Sequence, residues 1–435
     1  MTQRSLRAWI NQDEVGSLTD RAGIWCFEYA PAWLKKPGAF ALSPHLPLTS
    51  DALVDGATRR PVQWYFDNLL PEEGQRTLLA GDARIDAADA FGLLAWYGAE
   101  SAGSVTLLPP EVAPTSGGAL HALSDAALQA RIERMPKVPL TQGAVKRMSL
   151  AGAQHKLAVV LQAEELFEPE GATPSTHILK PDHPDEDYPH SVINEWFTME
   201  LARRVGLDVP RVHRRYVPHP VYLIDRFDRV SHGEAWQRRH AIDACQLLGL
   251  DRSFKYREGS VQRLSELASA CRSPAAARTK LFSWLVFNVL VGNSDAHLKN
   301  LSFLVSQEGV QLAPFYDLLS VAVYDSAASG KAVWPDQTQL AWPILGSDRF
   351  ARVSRSLLLG AAGEMGLSRP TAERIIQSMT AKVWDQAQSL YDAVETANAE
   401  LAVQRNELAA TLAGEARALR AITHVVIKEM LQRLQ

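Results

Sequence analysis

The chain has 435 residues, 46% hydrophobic and 22% charged, with a formal net charge of −4. That balance belongs to an ordinary globular protein with room for more than one core, and no global basic field points to nucleic acid or a membrane surface. Cys26, Cys245 and Cys271 stand far apart and outside any CxxC pair, which indicates neither a disulfide framework nor a thiolate zinc site and fits a reducing cytoplasm.

Residues 1–60 alternate apolar and polar in LRAWIN, EVGSLT, GIWCFEY and AFALSP, a pattern of short antiparallel strands. The N-terminus reads as the first of these, not as a leader. PVQWYFDNLLPEEGQRTLLA (61–80) and ADAFGLLAWYGAES (88–101) predict helices closing on Pro or Gly, and GSVTLLPPE a strand. PPEVAPTSGGAL (109–120) is the best linker candidate. Strands are expected at KRMSL (146–150), HKLAVVLQ (155–162) and THILKP (176–181), then a helix at SVINEWFTMELARRVGL (191–207), then strands RVHRRYV and PVYLIDRFD. From about residue 240 the pattern is mainly helical. LFSWLVFNVLV (281–291) is its most apolar run, too short and too polar to span a bilayer. LSFLVS and VQLAPFYD pair as a hairpin, and the tail 371–435 has helical spacing without a clean heptad.

The polar stretch VGNSDAHLKN (291–300) sits between two apolar runs. Phosphoryl transfer asks for a carboxylate to orient or deprotonate the attacking hydroxyl, oxygen ligands for Mg²⁺ and a cation on the phosphates. In protein kinases an Asp is followed five positions later by a metal-binding Asn, then by a hairpin and a second Asp. Asp295, Asn300, the hairpin and Asp317 follow that order. Upstream, Lys180 ends a strand, Glu195 lies one turn into the next helix, and the small turn LAGAQ lets backbone N–H groups approach phosphate. Each piece alone is common; the ordered set points to a kinase. There is no H-R-D, and Asp317 is followed by Leu-Leu where protein kinases have Phe-Gly.

The same residues resemble the HipA family of serine/threonine kinases, toxins of HipBA-type toxin–antitoxin systems. The resemblance is carried by MSLAGAQHK (148–156), THILKP, NEWFTMELARRVGLDVP (194–210), IDRFDR (224–229), CQLLGL (245–250), VGNSDAHLKN and LAPFYDLLS (312–320), with FEYAPAWL, SPHLPL, YFDNLLPE and GAESAGSVTLLP in the N-terminal part. It covers roughly residues 1–325 and thins beyond. It implies an α+β, bilobal kinase-like fold with an extra N-terminal subdomain (1–110), a strand-rich lobe carrying the phosphate loop (111–228) and a mostly helical lobe (229–435).

By resemblance, Asp295 is the catalytic base, Asn300 and Asp317 bind Mg²⁺, and Lys180, oriented by Glu195, meets the ATP phosphates. Ala151, Gly152, Ala153, Gln154, His155 and Lys156 form the phosphate loop. Asp225, Arg226 and Phe227 form the segment along adenine, and His297, Lys299 and Asn300 lie in the nucleotide-contacting loop. Ser149 matches the family's autophosphorylated serine, where an added phosphate of about −1.5 to −2 charges would repel the loop from nucleotide. The implied target is an aminoacyl-tRNA synthetase, typically the glutamyl enzyme. The implied partner is a HipB-like helix-turn-helix antitoxin, with operator DNA reached mainly through it in the cytoplasm or nucleoid, and no membrane.

Arg349, Arg352 and Arg355 in SDRFARVSR stand at helical i, i+3, i+6 spacing, first a solvated face and second a row for DNA phosphates. Trp196, Phe197 and Met199 read as packing. His240 and His297 read as hydrogen-bonded loop or core histidines because no second ligand stands at metal spacing. Gln246 either approaches the active site or caps a neighbouring backbone. A kinase of this fold with another substrate, and a non-catalytic corepressor, are the alternatives; retention of Lys180, Asp295, Asn300 and Asp317 speaks against the second.

Overall fold

The computed structural model describes residues 3–148, 150–233 and 235–435. The expected phosphorylation residue, Ser149, lies outside the described residues. The chain forms two compact units: residues up to Pro181 with Leu223–Phe254 and Ser302–Ala313, and Asp182–Tyr222 with Lys255–Leu301 and Pro314–Gln435.

The first unit contains a five-stranded antiparallel sheet in the order Leu53–Val54, Ile24–Tyr29, Asp13–Arg21, Arg4–Ile10, Val105–Leu108. Strand alternation does what the sequence implies: Leu6, Ala8 and Ile10 are buried on one face. Ala22 and Gly23 both take positive φ, closing the second hairpin tightly. Trp25 meets Phe91 edge-on at 5.3 Å, and Phe27 meets Phe66 at 5.5 Å, fixing the helices Pro61–Asp67 and Ala90–Tyr97 to the sheet.

A second sheet runs from Gly118–Ala122 through Glu165–Gly171, Leu157–Gln162 and His177–Pro181 to the closing residues of Pro220–Asp225. A third joins Ala241–Asp243, Ser302–Ser306 and Gly309–Leu312, the last two being the expected hairpin.

The second unit is helical: Ser191–Val205, Val261–Ala270, Pro274–Leu290, Arg355–Glu364, Arg369–Gln404, Ala409–Ala421 and Lys428–Leu434, with a π-turn at Ile422–Ile427. The second half of Pro274–Leu290 buries Leu281, Phe282, Trp284, Leu285, Val286, Phe287, Val289 and Leu290, an apolar run on nearly every side that a core position satisfies. Each large side chain so buried contributes about 1.5–3 kcal/mol. The tail packs within the chain, Arg369–Gln404 lying against Ser191–Val205 and Pro274–Leu290. Among the described residues no helix is long and apolar enough to cross a membrane.

Several expectations are corrected. The single helix over 61–80 is two, Pro61–Asp67 and Glu73–Ala83, because Pro71 has no N–H and pushes Leu70 out of helical geometry. AFALSP is not a strand; Tyr29 Oη anchors it, accepting from Leu42 N at 2.9 Å and donating to Leu46 O at 2.5 Å. No strand forms at 146–148 or 150. Side chains hold that stretch: Met148 Sδ accepts from Ala158 N at 3.3 Å, and Lys146 pairs with Glu100 at 2.9 Å.

The linker candidate ends in the edge strand Gly118–Ala122, and Glu165–Gly171 and the Ser124-capped helix Asp125–Ile132 were not foreseen. The arginine row fails as a helix face. Arg349 ends a strand, Arg352 ends a 3₁₀ turn and Arg355 begins a helix.

Candidate active site

The polar stretch after Pro274–Leu290 is built on asparagines. Asn288, the polar exception in the apolar helix, donates to Trp284 O at 2.8 Å and accepts from Asn293 Nδ2 at 2.7 Å. Asn293 Oδ1 in turn accepts from Asp295 N at 3.1 Å. Gly292 makes the turn possible with φ +65°; a Cβ there would meet Ala322 Cβ at 2.7 Å and Val426 Cγ1 at 2.6 Å.

Asp295 is half-buried, and its carboxylate accepts a hydrogen bond from Tyr256 Oη. The 3₁₀ turn Leu298–Asn300 then brings Asn300 Nδ2 to Asp295 O at 2.9 Å. The five-residue spacing read from the sequence is therefore a closed loop. Asn300's amide nitrogen being engaged leaves Oδ1 as its donor atom for a cation. Lys299, His297 and Asn300 are buried, an unusual density of polar groups inside a loop. Trp342 Nε1 holds Ala296 O at 3.0 Å, Tyr316 Oη holds Lys299 O at 2.9 Å, and His297 meets Tyr256 edge-on at 4.9 Å.

Asp317 lies in the same unit with φ +58°, a left-handed conformation that is sparse for residues with a Cβ and concentrates at functional sites. The segment after it is pinned to the helix Ser191–Val205. Asn194 Nδ2 donates to Ser320 O at 3.0 Å and to Tyr324 Oη at 3.1 Å, and Asn194 Oδ1 accepts from Ser320 N at 2.8 Å. Glu195, the next residue, is buried. Asp182 caps this helix through Val192 N at 2.8 Å, and burial pushes its carboxyl up to about 6. Asn300 and Asp317 offer the hard oxygen donors that Mg²⁺ takes, so the donor chemistry fits that ion.

The first unit carries the other candidates. Lys180 is buried on the inner strand His177–Pro181. In the loop 151–156, Gly152 has φ +109° and bridges to Pro71, its carbonyl accepting from Glu72 N at 3.2 Å. Lys156 Nζ donates to Ala151 O at 2.5 Å, and His155 is buried.

Asp225 pairs with His177 Nε2 at 3.0 Å, and Phe227 packs on Ala241, Leu304 and Ala313. Arg226 points its guanidinium inward to Asp228, Glu100, Ser175 and Ser101 O, while its backbone N donates to Thr176 O at 2.9 Å. Its side chain therefore serves the interior of this unit.

Sequence reasoning missed Tyr256, Trp342, Asn194, Asn288 and Asn293. Asn288 carried a signal as a lone amide in an apolar helix, and Asn293 stood in the polar stretch VGNSDAHLKN without being given a role. Gln246 proves to be a cap. With Asp243 it forms a capping box, and its Nε2 donates to Tyr65 O at 2.8 Å. His240 Nε2 donates within the core to Leu42 O at 2.8 Å, and burial lowers its pKa to about 4. Phe197 and Met199 are core, and Trp196 stacks under Arg214 at 5.4 Å.

Comparison with known proteins agrees with this arrangement of sheets, helices and loops. Residues 148–387 match the model of the HipA-like C-terminal domain, and residues 6–108 match that of the HipA N-terminal domain. A Sinorhizobium fredii protein named as a kinase, Y4mE, is 36% identical over 337 residues, 74% of this chain and 79% of that one. The serine/threonine-protein kinase toxin HipA of Shewanella oneidensis is 34% identical over 323 residues, 70% and 72% of the two chains. A solved complex of Shewanella oneidensis HipA with HipB and its operator DNA superposes with a TM-score of 0.73 at 26% identity, covering 98% of this chain and 99% of that one. The fold is thus the mixed helix-and-sheet fold of HipA structures, and the proteins most informative about it are named as kinases. The chain belongs to the HipA family.

Proposed function

We propose that the protein is an ATP- and Mg²⁺-dependent serine/threonine protein kinase, the toxin of a type II toxin–antitoxin pair. The observation that carries the reading is the loop 293–300, in which a buried asparagine relay fixes Asp295 and Asn300 to each other. Such rigidity is what orientation of a hydroxyl and a metal requires. Asp295 accepts the proton of the attacking hydroxyl, and Tyr256 keeps its carboxylate in place until the hydroxyl arrives. Asn300 and Asp317 would hold Mg²⁺, and the ion when bound would supply neutralising charge at the phosphates. Lys180, oriented by Glu195, and the loop 151–156 bind phosphates. Backbone of Asp225, Arg226 and Phe227 runs along adenine, and His297 and Lys299 complete the nucleotide-contacting loop.

The same reading divides the chain into an N-terminal module (1–110), a nucleotide lobe (111–228) and a catalytic lobe (229–435). It places the protein in the cytoplasm with a HipB-like antitoxin; the partner is supported by the Shewanella complex, in which HipA is bound with HipB and operator DNA. It makes an aminoacyl-tRNA synthetase, typically the glutamyl enzyme, the target, whose phosphorylation stops translation and arrests growth, and Ser149 the autophosphorylation site.

The test is phosphoproteomics after brief expression of wild type against Asp295→Asn and Asp317→Asn, with the purified proteins assayed with and without a magnesium chelator. The expected result is one phosphorylated synthetase, and phospho-Ser149, in wild type alone and only with magnesium. Transfer by either variant at the wild-type rate refutes that residue's role; a chain that binds no ATP by calorimetry favours the corepressor alternative.

A further inference from the structure

Glu100 lies in the N-terminal module, far in sequence from every residue assigned to nucleotide, yet it is buried among cations. Its Oε1 accepts from Arg229 Nη2 at 2.9 Å, Ser175 Oγ at 3.0 Å and Arg226 Nη1 at 3.4 Å. Its Oε2 accepts from Arg238 Nη2 at 2.5 Å and Lys146 Nζ at 2.9 Å. Asp228 completes the cluster, bridging Arg226 and Arg229 and accepting from Gly103 N at 2.7 Å. Arg229 also ties Ser175 O and Gly103 O.

Burial alone would raise the Glu100 carboxyl, but Arg238, Lys146, Arg229 and Arg226 hold it well below the usual carboxylate range. Two carboxylates thus face four cations. A buried ionic cluster of this kind is poor evidence for stability as such, since apolar packing does as well or better. What it does supply is fixed geometry between segments distant in sequence.

Those segments matter. Arg226 and Arg229 flank Phe227 in the segment assigned to adenine. Lys146 stands on the approach to the phosphate loop. That approach is held by the same module at further points: Gln142 Nε2 on Asp82 at 3.0 Å, Arg147 stacked 3.5 Å from the ring of Trp96, and Gly152 on Pro71 and Glu72.

We propose that Glu100 is a positioning residue for the nucleotide, holding the approach to the phosphate loop and the adenine segment on one carboxylate, so that the N-terminal module sets the nucleotide half of the site. This rests on the kinase reading above. The module is then a working part of the nucleotide site.

The test uses the full chain with Glu100→Gln, with Lys146→Met, and with Glu168→Gln as control. Glu168 is a buried carboxylate of the same unit paired with Arg131 by two 2.8 Å bonds, and its partner lies in neither segment. Calorimetry with Mg-ATP is run on an Asp295→Asn background, and initial rates of phosphate transfer against ATP concentration are measured without it. Glu100→Gln is expected to weaken ATP binding on the order of tenfold to a hundredfold, with KM rising in step and kcat at saturating ATP within about twofold. Lys146→Met, which removes one arm, should weaken binding by roughly threefold to tenfold, and Glu168→Gln should leave it within about twofold although its melting temperature falls. If Glu100→Gln does not fold, Lys146→Met decides.

ATP binding unchanged in Glu100→Gln and Lys146→Met overturns the inference and leaves the kinase reading standing. So does an equal loss of binding in Glu168→Gln at equal loss of melting temperature, or a fall in kcat with KM unchanged. A parent chain that neither binds ATP nor transfers phosphate removes the kinase reading and this inference with it.

Discussion

Replacing Asn293 by Ala tests whether the asparagine relay, and not the apolar helix before it, holds the proposed catalytic loop. Asn288 and Asn293 are 4% and 3% exposed. The substitution removes the donor to Asn288 Oδ1 (2.7 Å) and the acceptor of Asp295 N (3.1 Å) at one stroke. Each stranded group costs about 1–3 kcal/mol, so the variant should lose about 2–6 kcal/mol. That is a large share of the ~5–15 kcal/mol that holds a domain together. Urea unfolding followed by tryptophan fluorescence reads the loss. Because Asp295 and Asn300 lose their common support, phosphate transfer should also fall on the order of tenfold to a hundredfold. Asp295→Asn provides the contrast, with transfer abolished and stability nearly kept. Should Asn293→Ala unfold within about 0.5 kcal/mol of wild type and transfer phosphate at the wild-type rate, the relay is not what fixes the loop.

Gly292→Ala places a methyl against Ala322 and Val426 in a left-handed turn and should cost about 1–3 kcal/mol by overpacking, measured by the same unfolding experiment; a neutral result would mean the turn relaxes freely. Stability should also fall as pH rises from about 5 to 7. Burial pushes the Glu415 carboxyl up to about 7 against the pull of Arg214, and that of Asp182 up to about 6. An unfolded Glu carboxyl titrates at about 4.3 and an Asp carboxyl at about 3.9, so the folded chain holds these protons more tightly and loses about 1.4 kcal/mol per unit per group until each folded pKa is passed. Glu415→Gln should flatten the upper part of that slope in urea midpoints taken from pH 5 to 8, while an unchanged slope would locate the titration elsewhere.

Much of the site was legible because its chemistry is local. The Asp295–Asn300 spacing is closed by a single 3₁₀ turn, the hairpin Ser302–Leu312 is set by alternation around Gly309, and the helix carrying Glu195 ends on Gly206 at φ +99°. Such features depend on a few neighbouring residues, and a sequence states them directly. The strand expected at 146–150 and the arginine row at 349–355 failed for the complementary reason: side-chain anchors and breaks in the backbone overrode a plausible local pattern.

The partners that give each group its role are distant in the chain. Tyr256 reaches Asp295 across 39 positions, Asn194 reaches Ser320 across 126, and Glu100 reaches Arg238 across 138. No periodicity encodes such pairings, because they are set by how whole elements pack and not by how one of them forms. The sequence by itself set out the candidate residues for the proposed kinase chemistry and their order. Only the tertiary structure decided which buried groups hold them still, since a carboxylate taken out of water is tolerated only where the fold brings its counter-charges and donors to it.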